Sequence, residues 1–200
     1  IEIQGADPKE PVVICPVDPY VDDSYFKTLK IMANQAGKGE ANLVLMGIEP
    51  TYPSEKYGYI IPESIEQIAK VSTFKEKPQM QIAKEYISQG ALWNGGVFAC
   101  KPQYVLEKAH EQINFANYQD LLNQYDTLDK VSFDYAIVEK EDNIQVVRFN
   151  GSWKDLGTWN TLTEAMEENV VGNAMMDENC KNVHVINEIG IPVLAMGLHD

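Results

Sequence analysis

Apolar positions along this chain fall into two textures. Short unbroken apolar runs are separated by stretches in which apolar residues recur three or four places apart. Unbroken runs suit strands covered on both faces, and the wider spacing suits helices lying over them. Val12-Val13-Ile14-Cys15-Pro16 predicts a short buried strand. Asp22, Asp23 or Ser24 then offers a cap for a helix whose positions Phe26, Leu29, Met32, Ala33 and Ala36 have helical spacing, with Gly37 and Gly39 ending it. Residues 41–48 form a second apolar strand. The chain therefore opens β-α-β, the pattern of a doubly wound α/β domain.

The same reading continues through the middle. Residues 57–61 and 71–76 predict strands. A short helix follows Pro78, with Ala83, Tyr86 and Ile87 on one face and Gly90 as its stop. Residues 91–100 are strand-like, and Pro102 suits the first turn of a helix bearing Val105, Leu106, Ala109 and Ile113. Leu121, Leu122 and Tyr125 suggest another helix, and Ser132 caps one expected to run through Lys140. A strand at 144–149 precedes a helix capped by Thr158, with Trp159, Leu162 and Met166 expected on its inner face. Around Gly172 the texture changes to short strands at 183–186 and 191–196. Two parts are therefore expected: residues 1–170, and a β-rich part beginning at 171–200.

Composition narrows the partners. The hydrophobic fraction of 44% is that of a globular protein. No apolar run has the length of a membrane span, and no signal peptide is visible, so a cytoplasmic protein with no membrane partner is expected. Cys15, Cys100 and Cys180 have no metal-ligand spacing and are expected to be buried free thiols in a reducing compartment. The net charge of −14, from 30 acids against 16 bases, disfavours nucleic acid as a partner. A phosphorylated ligand would need local lysines or a divalent metal. His110, His184 and His199 make no triad or metal spacing, and Walker A and Gly-x-Gly-x-x-Gly patterns are absent.

Five places can carry chemistry. Asp18 follows a strand, where a carboxylate is well placed to hold a metal; it also begins an Asp-Pro turn. Glu76-Lys77-Pro78 joins a strand to a helix and offers a phosphate donor beside a hydroxyl acceptor, or simply a solvated charge run. Trp93-Asn94-Gly95-Gly96 puts paired glycines inside an apolar strand, which marks either close approach of a ligand or a bulge. Asp155, in Trp153-Lys154-Asp155-Leu156-Gly157, is a second strand-end carboxylate or a helix-start residue. Gly58, between Tyr57 and Tyr59, is a place where backbone can touch a ligand. Asp134 and Glu139 read first as surface or capping acids on one helix.

Taken in order, the segments Val12–Asp18, Gly47-Ile48-Glu49-Pro50-Thr51, Tyr57-Gly58-Tyr59-Ile60, Phe74-Lys75-Glu76-Lys77-Pro78, Trp93-Asn94-Gly95-Gly96-Val97-Phe98, Ser132-Phe133-Asp134-Tyr135 and Trp153–Trp159 resemble the mannose-1-phosphate guanylyltransferases, within the sugar-phosphate nucleotidyltransferase family. The resemblance runs from about Val12 to Asp200. It implies a Rossmann-like mixed sheet flanked by helices, followed by a β-rich part. It implies that Asp18 and Asp155 bind Mg2+, and that Gly58, Glu76, Lys77, Asn94 and Gly95 bind the sugar phosphate. Asp18, Lys77 and Asp155 would be catalytic, transferring GMP from GTP to mannose 1-phosphate to give GDP-mannose and pyrophosphate. Pro19, Lys75, Gly95 and Val97 depart from the family's usual residues. The glycine-rich nucleotide-binding segment of the family is not found in this chain, so the sheet is expected to be truncated at its N-terminal side and the chain alone inactive. An uncovered sheet edge would favour a homodimer. The alternatives are another hexose 1-phosphate and nucleotide pair, or a non-catalytic sugar-phosphate-binding module.

Overall fold

The computed structural model describes residues 7–199. The chain divides into two compact units: residues up to Val17 together with Val21–Ser152, and Asp18–Tyr20 together with the chain from Trp153 onward. Sequence texture alone sets the change later, near residue 170.

The first unit contains β1 (Val12–Ile14), then the end of β2 (Tyr20–Val21), α1 (Ser24–Lys38), β3 (Leu43–Ile48), β4 (Tyr59–Pro62), β5 (Ile68–Lys75), α2 (Met80–Ser88), β6 (Leu92–Cys100), α3 (Pro102–Gln112), α4 (Tyr118–Gln124), α5 (Phe133–Ala136) and β7 (Ile144–Phe149). Six strands make one mixed sheet in the order β1-β6-β3-β7-β5-β4, and the head of β6 also pairs with β4. In this sheet β3 and β7 run parallel, and the other pairings are antiparallel. Every residue of β3 is buried, as its unbroken apolar run requires. Leu43, Leu45, Ile60, Phe74, Leu92, Phe98, Val138 and Val146 form one core cluster, with Tyr104, Val105 and Phe133 packed on it. Strand alternation turns Val44 and Met46 the other way, and α1 packs over β3, β6 and β7 with Tyr25, Met32 and Ala36 buried.

The expected β-α-β opening needs correction. β1 and β3 are not neighbours; β6 lies between them, antiparallel to both. β1 is a sheet edge rather than a buried strand, and Ile14 is exposed. Cys15, one residue beyond it, is exposed as well, and Cys180 is half-buried. Only Cys100 is the buried thiol expected, its pKa pushed up to about 11 by burial. Apolar runs report coverage of a strand's faces and say nothing about its edge. In α1, Phe26 faces solvent, and the left-handed residue closing the helix is Gly39, not Gly37. The helix expected through Lys140 breaks at Ile137, giving α5 and a separate 3-10 turn (Val138–Lys140).

The second unit holds β8 (Trp153–Lys154), which pairs with β2, then α6 (Trp159–Thr163), β9 (Val170–Gly172), β10 (Ala174–Met176), β11 (Val185–Asn187) and β12 (Val193–Ala195). Thr158 caps α6 in a reciprocal box with Thr161. The helix ends before Met166 and is too short for the expected stripe, so Trp159 lies on the surface. β9 pairs with β11 and β10 with β12, both parallel, and Lys181 bridges His199 in the same sense. Two successive turns of chain thus stack in register.

Candidate active site

The first unit gathers Gly58, Glu76, Lys77 and Asn94, which sequence singles out from three separate segments. Asn94 pairs with Gly47 of β3 just beyond the two β6 residues that pair with β4, and its backbone N–H donates to the Gly58 carbonyl at 2.8 Å. A Cβ on Gly58 would stand 2.5 Å from Glu76 Oε2, 3.0 Å from the Phe74 ring and 3.3 Å from the Asn94 Cβ. Glycine is required there because the neighbouring segments come that close.

Past Asn94 the ladder is irregular. Leu45 pairs with Phe98 and Gly47 with Asn94, so Met46 answers to Gly95, Gly96 and Val97 together. This is a bulge, and Gly96 takes the left-handed φ of +68° that it needs. Of the two sequence readings for the paired glycines, the bulge describes the geometry. The space above Gly95 is filled by the Ile48 side chain, 2.6 Å from where a Cβ would be. The bulge ends the regular ladder at Asn94 and redirects its amide.

Behind Asn94 the strand is fixed by a hydroxyl hub. Tyr59 Oη accepts from Trp93 Nε1 at 3.1 Å and from the Ser54 N–H at 2.8 Å, and donates to the Ser54 carbonyl at 3.0 Å. The rings of Tyr52 and Tyr57 pack against Trp93.

Glu76 and Lys77 follow β5. Glu76 is 7% exposed, and its Oε1 meets Lys77 Nζ at 3.3 Å. Burial pushes the Glu76 carboxyl above the usual glutamate range; Asp134 adds to this and Lys77 opposes it. Lys77 holds a φ of +45°, unusual for a residue with a side chain, immediately before Pro78. Glu55 accepts the Met80 N–H at 2.8 Å and so anchors the start of α2.

Asp134 and Glu139, which read as surface acids in the sequence, are brought to the same place. Asn94 Nδ2 donates to Asp134 Oδ1 at 2.8 Å. Glu139 accepts the Glu76 backbone N–H at 2.8 Å and pairs with Lys75 Nζ at 3.2 Å. Burial raises the Asp134 carboxyl, with the Asn94 bond opposing. The break at Ile137 puts Asp134 on α5 and Glu139 on the separate 3-10 turn. The Ser132 cap places a helix start beside Asp134 in the sequence. Nothing local could reveal its partner forty residues away on β6. The constellation is a half-buried set of hydroxyl acceptors, one amide, and two lysines able to meet an anion. Two cavities of about 610 and 580 Å3 lie elsewhere, along α3 and the segment from Thr127 to Val131, and contain none of these residues.

The sequence model for nucleotidyl transferases matches residues 2–170. The chain belongs to the nucleotidyl transferase family. It is 27% identical over 209 residues to the mannose-1-phosphate guanylyltransferase of Salmonella montevideo, covering 90% of this chain and 43% of that protein. It is 29% identical over 224 residues to the alginate biosynthesis protein AlgA of Pseudomonas aeruginosa, covering 96% and 45%. The chain thus spans less than half the length of these relatives. Among solved structures, it matches a Thermus thermophilus protein described as mannose-1-phosphate geranyltransferase. That match has 29% identity and a TM-score of 0.74, covering 95% of this chain and 61% of the other. A UDP-glucose pyrophosphorylase bound to UDP-glucose shares the fold at 18% identity and a TM-score of 0.50, covering 78% and 54%.

Asp18 and Asp155 belong to the second unit. Both are exposed, and they flank the paired strands β2 and β8. Asp155 Oδ1 accepts the Gly157 N–H at 2.9 Å, which orients the carboxylate. Among the described residues, no three His, Cys, Asp or Glu side chains gather as a metal cage. No described helix is long and apolar enough to cross a membrane.

Proposed function

We propose that this chain carries the sugar-phosphate site of a guanylyltransferase that moves GMP from GTP to mannose 1-phosphate, giving GDP-mannose and pyrophosphate. The observation that carries the reading is the meeting of Glu76, Lys77, Asn94 and Gly58, drawn from three sequence motifs that appear in family order. Relatives named mannose-1-phosphate guanylyltransferase support the choice of sugar and nucleotide.

The reaction asks little acid–base chemistry of the protein. A sugar 1-phosphate has a second pKa of about 6 and is already a dianion near neutral pH. The difficulty lies in setting one anion in line with the α-phosphate of another, so positioning and charge neutralisation do the work. Lys77 is 53% exposed and has the reach to meet the sugar phosphate. Glu76 and Asn94 would accept from and donate to ring hydroxyls. Asp18 and Asp155 are exposed carboxylates, the hard oxygen donors that suit magnesium, which binds few protein ligands and keeps several waters. When bound, Mg2+ would neutralise phosphate charge. A second copy would pair along β1, whose outer edge has no strand neighbour in the described sheet.

The test is a panel. The protein is titrated with mannose 1-phosphate and glucose 1-phosphate, and assayed for pyrophosphate release with GTP, UTP and dTTP. Preference for mannose 1-phosphate with GTP is expected. Preference for glucose 1-phosphate or UTP would move the assignment to the other substrate pairs of the family, and binding without turnover would make it a recognition module.

A further inference from the structure

The Asn94 side chain is held at both ends. Its Nδ2 donates to Asp134 Oδ1 at 2.8 Å, and its Oδ1 accepts the Gly96 N–H at 3.2 Å. The side chain is nearly fully buried. A carboxylate only accepts and a backbone N–H only donates, so the two bonds together select one orientation of the amide. Turning it over would set oxygen against carboxylate and N–H against N–H. Gly96 can supply its N–H because the bulge gives it a left-handed φ of +68°. Asp134 is in place because Ser132 caps α5, its hydroxyl accepting the Tyr135 N–H, and because the helix breaks at Ile137.

We infer that Asp134 is a positioning residue for sugar recognition, fixing the Asn94 amide so that its second N–H is presented to one hydroxyl of the hexose. The inference rests on the reading of Gly58, Glu76, Lys77 and Asn94 as a hexose 1-phosphate site. It adds a source of selectivity to that site. An oriented amide donor near the Glu76 carboxylate distinguishes a hydroxyl, which both donates and accepts, from hydrogen or a lone acceptor. A site built to bond a hydroxyl rejects the analogue that lacks it, because its buried polar groups are left unpaired.

The 200-residue chain is titrated calorimetrically with mannose 1-phosphate and its 2-, 3- and 4-deoxy derivatives, as wild type, Asp134→Ala and Asp134→Asn. In the wild type, one deoxy sugar should bind about tenfold more weakly than the parent. In Asp134→Ala the parent should weaken by a similar factor and that deoxy penalty should vanish. Asp134→Asn keeps an oxygen that accepts the Asn94 bond and should keep the penalty. The proposal is overturned if Asp134→Ala weakens parent and deoxy sugars alike, or leaves the pattern intact. A measurement on the wild type alone gives a second check. The side-chain amide protons of Asn94, assigned by their loss in Asn94→Asp, should exchange slowly with solvent; exchange as fast as an exposed asparagine refutes the positioning role. A wild type that binds no hexose 1-phosphate refutes the underlying site instead.

Discussion

Replacing Lys77 by alanine and, separately, by glycine divides what its side chain does from what its backbone costs. Lys77 sits at φ +45° before Pro78. A side chain in the left-handed region costs about 1–2 kcal/mol, and a following proline restricts the residue further. Glycine would relieve that cost but loses more freedom on folding, by about 0.5–1 kcal/mol. Both variants lose the ion pair to Glu76 equally. The Lys77 end of that pair is 53% exposed, so it contributes little to stability in either case. The difference between the two variants therefore isolates the backbone. Lys77→Gly should be more stable than Lys77→Ala by about 0.5–1 kcal/mol, a few degrees at most in Tm for a chain of this size. Urea and thermal unfolding measure it. Both variants should lose sugar-phosphate affinity to the same extent, about tenfold or more, because both lose the charge-assisted bond. If alanine is as stable as glycine, the backbone at Lys77 is not strained and the account of this turn fails. If the variants behave as stated, the turn holds its strain at a residue whose cation serves the ligand.

Other outcomes follow from the same contacts. Gly58→Ala forces a methyl group against Glu76 Oε2 and should cost about 1–3 kcal/mol on urea unfolding, with sugar-phosphate affinity falling together with stability. Tyr59→Phe strands the Trp93 and Ser54 N–H donors and should cost about 2–4 kcal/mol; a cost near zero would mean the hub is not formed. Burial raises the Glu76 and Asp134 carboxyls, so the native chain holds protons the unfolded chain has released. Stability should then fall as pH rises from the ordinary carboxylate values through the raised ones, and Glu76→Gln should flatten that fall in a pH series of unfolding midpoints. Asp177 runs the other way. The Gly197 N–H, Asn179 and Cys180 hold its carboxyl down at about 2, so its contribution is present above the unfolded value and is lost as acid approaches 2; Asp177→Asn should remove that acid sensitivity.

The fold was legible where one segment's pattern decides its structure. β3 is an unbroken apolar run, and β6 and β7 are mainly apolar runs interrupted by Asn94 and by Gln145 and Arg148, because all three sit inside a covered sheet, and the sequence marks all three. What failed was neighbour order. Val12–Ile14 and Leu43–Ile48 have the texture of adjacent parallel strands, yet β6 inserts between them. Apolar coverage depends on the sheet's faces, while order depends on which strand arrives later in the chain, and β6 is supplied from more than forty residues beyond β3. Helix length failed for a related reason. Ile137 and Val138 belong to the sheet core, and burying them both bends the chain out of helical register after α5.

The site follows the same division. Glu76-Lys77-Pro78 and Asn94 were visible because turn chemistry and a glycine pair mark them locally. Asp134 was visible as an acid beside a helix cap and as part of a family-like segment, Ser132-Phe133-Asp134-Tyr135, but its bond to Asn94 across the sheet was not. The helix break that defeated the local prediction is the feature that brings Asp134 and Glu139 to face Asn94 and the Glu76 backbone. A helix continuing to Lys140 would have satisfied its own backbone, but with 3.6 residues per turn it would set the two acids, five residues apart, about 140° apart around its axis. Breaking it at Ile137 gives up regular helical bonding in return for core burial and two directed carboxylates, so the misread element and the missed residue have a single physical cause.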